Sequence, residues 1–293
     1  MMARMESRIV LSVLTLTLLA IVPVSSQEAP QTSWGAPDLQ GVWDFRSITP
    51  LERPEDLADQ EFLSEEEAAN LEQAAVNRIE ELANKEAERT EAGGNIGAYN
   101  DFWLEQGELS KKTSLLVDPP NGRLPPVTPE EQERQNNRTD SYTRSHLRHG
   151  MSFDTWEDFN VYDRCITRGL PGAMMPGFYN HNYLILQTPD YVAIVVEMIH
   201  DVRIIPLSEN AHLSPTVQQW LGDSRGRWEG DTLVVETKNF LRETSFRNST
   251  DNLHLIERFQ RVTEDVLLYT FRVTDATTWT QPWTVELPMR RSD

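Results

Sequence analysis

Tyr183-Leu184-Ile185-Leu186-Gln187, the turn Thr188-Pro189-Asp190 and the run that opens Tyr191-Val192-Ala193-Ile194-Val195-Val196 decide the fold class of this chain. Both apolar runs are rich in β-branched and aromatic residues, and a Thr-Pro-Asp between them is a turn sequence. The second run meets no glycine or proline before Ile205, so it reads as one strand from Tyr191 to Ile205. The pattern then recurs at short intervals: Trp228 across Glu229-Gly230-Asp231 to Thr237, Leu253 to Val262, Val266 to Val273, and Trp283 to Met289. Strands this closely spaced, with no helix between most of them, pair only antiparallel. The expected architecture is mainly β: an antiparallel meander over 179–290 that closes into a barrel on a strand around Val42 and Trp43.

Two helices interrupt this plan. Ser64 with Glu67 three positions on is a capping box, and Ala68, Leu71, Ala75, Ile79 and Leu82 follow at helical spacing until Gly93-Gly94. A proline-rich connector from Asp118 to Pro126 leads to Thr128-Pro129-Glu130-Glu131, an N-cap with proline at the first helical position, and the polar helix it starts is expected to run toward Leu147. The first stripe is thin and alanine-rich and the second helix is polar, so the insertion at about 55–150 is expected to pack outside the barrel.

The first residues carry an export signal: Arg4 and Arg8, an apolar run from Ile9 to about Val22, then small residues up to Ser26. The run is too short to span a bilayer. The expected organisation is a signal peptide over 1–26 and a single barrel-like domain over 27–293 in the periplasm or outside the cell, with no membrane association after cleavage. The formal charge of -19 repels nucleic acid and anionic lipid. Much of the excess is local, with fourteen acids and four bases between Glu52 and Glu91, and reads as a solvated acidic helix. Cys165 is the one cysteine, so no disulfide forms within the chain. Three readings stay open for it: a small buried hydrophobe, a thiol with a partner outside this sequence, or a nucleophile between Arg164 and Arg168.

Several long runs resemble a family of exported bacterial proteins of unassigned function: Thr49-Pro50-Leu51-Glu52-Arg53-Pro54, Val117-Asp118-Pro119-Pro120-Asn121-Gly122-Arg123, the stretch from Trp220 to Asp231, and Thr278-Trp279-Thr280-Gln281-Pro282-Trp283. The likeness covers nearly all of the chain after the signal and implies no catalytic assignment. Members of that family continue past the last strand into a Cys-His segment, which implies that Cys165 belongs with a partner beyond Asp293. Gly41-Val42-Trp43 is also similar to the opening of lipocalin-like (calycin) barrels, which implies a lipocalin-like barrel for the meander.

Read as one strand, Tyr191 to Ile205 puts Val192, Ile194, Val196, Met198, His200, Val202 and Ile204 on one face and Glu197, Asp201 and Arg203 on the other. The apolar face carries His200 inward, either as a hydrogen-bonded core residue or as an acid or base. On His254-Leu255-Ile256-Glu257-Arg258-Phe259, His254 and Arg258 share a face opposite Glu257. If that face is also inward, His200, His254 and Arg258 converge as catalytic residues, one imidazole moving a proton and the arginine stabilising negative charge. The run from Gly222 to Asp231 reads either as a pair of tight turns with their own side-chain to backbone bonds or as a loop that puts Asp223 and Arg225 at a pocket mouth, with Trp228 as a further binding residue. Tyr179 and His181 stand at a strand entry, where they bind a planar ligand or cap the barrel.

No phosphate loop, dinucleotide fingerprint, His-Glu-x-x-His or Gly-x-Ser-x-Gly is present. His146 and His149 are the one close histidine pair, without a carboxylate at matching spacing, so neither metal nor cofactor is expected. Two function classes remain. One is a cofactor-independent isomerase, lyase or hydrolase acting on a small hydrophobic molecule in a barrel cavity; the other is a periplasmic carrier of such a molecule. Oligomeric state is left open.

Overall fold

In the computed structural model, residues 30–84, 107–137, 155–156, 159, 161–177, 180–208, 210–242 and 246–292 are described. The signal segment, the helix stop at Gly93-Gly94, the extension toward Leu147, His146, His149 and Tyr179 lie outside them. Ten strands form one antiparallel sheet, with two helices beside it: β1 Gly41–Asp44, α1 Glu65–Asn84, β2 Leu116–Asp118, α2 Pro129–Asn137, β3 Asn182–Gln187, β4 Tyr191–Val196, β5 Val202–Pro206, β6 Asp223–Glu229, β7 Thr232–Lys238, β8 His254–Arg261, β9 Val266–Thr274 and β10 Trp283–Ser292. The order is β5-β4-β3-β1-β10-β9-β8-β7-β6, with β2 added to β10. The first strand thus sits at the centre, paired with β3 on one side and β10 on the other.

The ladder does not close. β5 and β6 are its two ends and share no backbone hydrogen bonds; they meet through side chains, where Nε of Arg203 donates to Ser224 Oγ at 3.1 Å. Gly226 permits this approach, because a Cβ there would stand 2.7 Å from the Leu207 side chain and 2.9 Å from that of Ile205. The expectation of a closed barrel is therefore met only as a ten-stranded antiparallel sheet whose end strands touch.

Three sequence readings need correction. Tyr191 to Ile205 is two strands, because Ile199 takes φ 66° and Val196 N–H bonds Asp201 C=O at 2.9 Å, closing a tight turn. Antiparallel partners point to the same side of a sheet. The register Val195↔Val202 therefore turns Val202 and Ile204 outward with Val195, and Arg203 inward with Ile194. The run from Gly222 is strand up to Glu229, and only the two-residue turn at Gly230, with φ 59°, behaves as expected. Of the three readings open for Cys165, its exposure removes the small buried hydrophobe and leaves the other two.

The helix starts follow their capping residues. Ser64 Oγ accepts the Glu67 N–H at 3.2 Å while Glu67 Oε2 accepts the Ser64 N–H at 2.8 Å. Thr128 Oγ1 accepts the Glu131 N–H at 3.1 Å. α1 leaves Leu71 and Ile79 exposed. The insertion also supplies β2, an extra strand on β10 that its proline-rich flank had hidden.

One end of the inner face is plugged by the segment before β1. Gln187 accepts the Leu39 N–H and donates to Pro37 C=O, and the Trp43 indole donates to Leu39 C=O at 2.8 Å. Arg261 lays its guanidinium 5.6 Å from the Trp43 ring centre and donates to Asp38 C=O at 2.9 Å. A stacked Phe45–Tyr183 pair and the Phe246, Phe271, Trp279 and Trp283 rings fill much of the rest. Trp43, Tyr183, Phe259, Tyr269, Phe271 and Trp283 are fully buried and form the centre of this inner layer.

Candidate functional site

Two polar clusters lie on opposite faces of the sheet around β6–β8, the inner one reaching across the seam to β5. The inner one is closed. Arg203 pairs with Glu257, its Nη1 donating to Oε1 at 2.9 Å, and Nη2 also donates to Thr237 Oγ1 at 2.7 Å. The Tyr269 hydroxyl donates to the same Glu257 Oε1 at 2.8 Å. Burial, reinforced by the Glu257 charge, pushes the Tyr269 pKa well up, so the phenol remains a donor. Every nitrogen of Arg203 is engaged, and the group binds β5, β6, β7, β8 and β9 together.

The outer cluster is built on alternate residues of three strands. Asp223 and Arg225 on β6, Glu236 and Lys238 on β7, and His254 and Arg258 on β8 point away from the core. Residues 210–221 lie back over it, pinned where Asn239 Nδ2 donates to Leu213 C=O at 3.1 Å. That cover makes Asp223 buried although it points outward. Its carboxylate accepts from His212 Nδ1 at 3.0 Å, Leu213 N–H at 2.8 Å and Arg225 Nη1 at 2.5 Å.

Glu236 is the hub. Its Oε1 accepts from Lys238 Nζ at 2.6 Å and from His254 Nε2 at 2.8 Å, and its Oε2 stands 3.6 Å from His212 Nε2. Lys238, and after it His254, hold the carboxyl down at about 2 against the opposing pull of partial burial, so it is ionised at any working pH. A carboxylate accepts only, which makes Nε2 of His254 the protonated nitrogen. Nδ1 of His254 has no hydrogen-bond partner among the described residues, and the side chain is 33% exposed. It is thus a half-exposed imidazole with one nitrogen fixed and the other available. Arg258 lies two residues along the same face and pairs with exposed Glu229 at 2.8 Å.

The residues singled out in the sequence are thus partly assembled. Asp223 and Arg225 do come together. His254 and Arg258 share a face as expected, but it is the outer one, because Leu255, Glu257 and Phe259 are the buried set. His200 belongs to the turn between β4 and β5 and not to a strand face, so it does not join them on β8. His181 is buried, accepts the Gly177 N–H on Nε2 at 2.8 Å and meets Phe45 edge-on. Trp228 is half-buried on the inner face against the core. His212, Glu236 and Lys238 were missed. Glu236 and Lys238 alternate with buried Val235 and Thr237, a signal that was there to read; His212 sits in an aperiodic segment that carries none. Among the described residues, no three His, Cys, Asp or Glu side chains are placed to hold a metal ion.

Fold and site define the class: a mainly β protein of ten antiparallel strands with a histidine–carboxylate cluster on one outer face. No protein-family model matches the chain, and no curated protein does. Among solved structures, the crystal structure of a mutant of the fluorescent protein UnaG is similar over 38% of this chain and 71% of that one, at 17% identity and a TM-score of 0.25. Among the described residues, no helix is long and apolar enough to cross a membrane.

Proposed function

We propose that this chain is an exported, cofactor-independent enzyme, an isomerase, lyase or hydrolase acting on a small hydrophobic molecule, with His254 moving the proton at the outer face of β6–β8. The carrying observation is the Glu236–His254 pair. A carboxylate on one ring nitrogen orients the imidazole and stabilises its protonated form, while the other nitrogen faces the reactant; this is the logic of acid/base dyads generally. Arg258, on the same face and held only by an exposed ion pair, is free to turn toward negative charge on a substrate. Leu213 and Trp220, exposed on the covering segment, offer apolar surface beside the cluster. The basic, apolar and small order of the first residues supports export.

A carrier needs an open apolar cavity. The aromatic rings that fill much of the inner face give that reading less support than the outer dyad gives to catalysis.

The test is proton exchange, which needs no knowledge of the product. Wild-type protein and His254→Gln are incubated in D2O with small apolar ketones and enones, and with p-nitrophenyl butyrate, while C–H exchange is followed by NMR and ester cleavage by absorbance. Acid/base action is worth about 100- to 10,000-fold. A loss of that size in the variant, with unchanged melting, supports the proposal. A wild-type rate in the variant removes it.

A further inference from the structure

The segment over the outer cluster is fastened mostly by bonds that are indifferent to pH near neutrality. Leu213 N–H donates to Asp223 Oδ2 at 2.8 Å, Asn239 Nδ2 donates to the carbonyls of Leu213 and Ser214 at 3.1 and 3.4 Å, and Gln219 makes backbone bonds of 2.9 Å with both Asn239 and Leu241. His212 is the exception, being the one titratable side chain between residues 210 and 221. Its ring sits between two carboxylates. Nδ1 donates to Asp223 Oδ2 at 3.0 Å, and Nε2 points into the cluster, where Glu236 Oε2 stands 3.6 Å away. That is beyond a hydrogen bond, and Nε2 is shielded from solvent with no partner among the described residues.

A neutral ring with its proton on Nδ1 turns a bare lone pair toward a carboxylate oxygen, and with solvent excluded nothing offsets that arrangement. A second proton makes the same atom a donor aimed at Glu236, and a shift of less than about 1 Å brings the two to bonding distance. We infer that His212 is a proton-operated clasp: neutral, it holds the segment 210–221 to β6 alone through Asp223; charged, it also bonds Glu236 through Nε2 and ties the segment to β7. The second bond exists only with the proton in place, so protonation and closure favour each other, and the segment holds tighter as pH falls. The surrounding charges leave room for this. Asp223 and Arg225 on β6 and Glu236 and Lys238 on β7 balance two against two. Lys238 and His254 of β8 both donate to Oε1, so Oε2 is left to His212. Glu236 stays ionised wherever imidazoles titrate, its carboxyl being held at about 2. With Oε2 fixed, Oε1 is held against His254, so one proton sets both the cover and the orientation of that ring. The clasp itself rests on this geometry, and only its control of His254 rests on the catalytic reading.

Hydrogen exchange over residues 210–221, followed by mass spectrometry from about pH 5.5 to about pH 8 and corrected for the intrinsic rate at each pH, tests the clasp. A charge-assisted bond at this partly exposed site is worth about three- to tenfold, so wild-type protection should be greater by that factor at the acid end, with β9 as the unchanged reference. His212→Gln, which can still donate to Asp223 but cannot be charged, should show equal protection at both ends. His254→Gln should respond as wild type does. In the wild type, the nitrogen-15 shift of His212 Nε2 should pass from bare to protonated over the same pH interval in which the segment slows. Equal wild-type protection at the two ends overturns the inference, as does a pH response that survives His212→Gln, one that vanishes in His254→Gln, or one that is out of step with the Nε2 shift. No substrate enters this measurement, so it and the D2O test of His254 fail separately.

Discussion

Replacing Glu257 with glutamine removes one charge from an ion pair whose two side chains are 0% and 3% exposed. The shape of the side chain is nearly preserved, so the loss is electrostatic. Arg203 keeps its bonds to Ser224 and Thr237, but the guanidinium is left without a counter-ion in the core, and an amide nitrogen is brought up against its donors. Breaking a buried pair from one side costs about 3–5 kcal/mol. For a chain of this size the urea slope is about 3 kcal/mol/M, so the unfolding midpoint should fall by roughly 1–1.7 M. Arg258→Gln, which breaks an exposed pair with Glu229, should cost less than about 1 kcal/mol. Arg203→Met combined with Glu257→Leu should recover part of the single-variant loss, since it removes both charges together. Equilibrium urea unfolding followed by far-UV circular dichroism reads all four proteins. If Glu257→Gln unfolds within about 0.2 M of wild type, water reaches the pair and the β5–β6 seam is open.

Three further outcomes are expected. Arg261→Met keeps a long stem over Trp43 but forfeits the bonds to Asp38 and Glu264 carbonyls, and should cost about 2 kcal/mol by the same denaturation assay; an unchanged midpoint would show that the plug before β1 contributes nothing. Ser64→Ala removes the cap of α1 and should speed hydrogen exchange at residues 65–68 by several-fold, reflecting about 1 kcal/mol of local stability, with exchange in β8 and β9 as the unchanged reference. Glu236 and Asp275 both hold pKa values below their ordinary range. In Glu236 the Lys238 bond leads; in Asp275 hydrogen bonds from Thr277, Thr250 and Thr278 outweigh the larger single effect of burial. A carboxyl depressed in the folded state stabilises it fully above the unfolded value, so the melting temperature should fall as pH drops from about 5 toward 2, and less steeply in Glu236→Gln.

What the sequence by itself determined is local. Strand identity followed from β-branched runs between turn residues, and helix starts from Ser64 with Glu67 and Thr128 with Pro129, because those signals act within a few residues of chain. The shared face of His254 and Arg258 was legible for the same reason, since strand period needs no partner. Which side of the sheet that face meets was not local. Leu255 and Phe259 flank Glu257 at the inner parity, and only the tertiary structure supplies the arginine, from a strand 54 residues earlier, that makes a buried glutamate tolerable. The turn at Ile199 was hidden because no glycine or proline marks it, and it reverses the side of every residue that follows, placing Val202 and Ile204 outside and Arg203 inside. Burial of Asp223 depends on a covering segment without periodicity, and the meeting of β5 with β6 depends on sheet twist summed over nine strands. Long-range pairing and the choice of inward face are collective properties of the packed chain, and no window of sequence contains them.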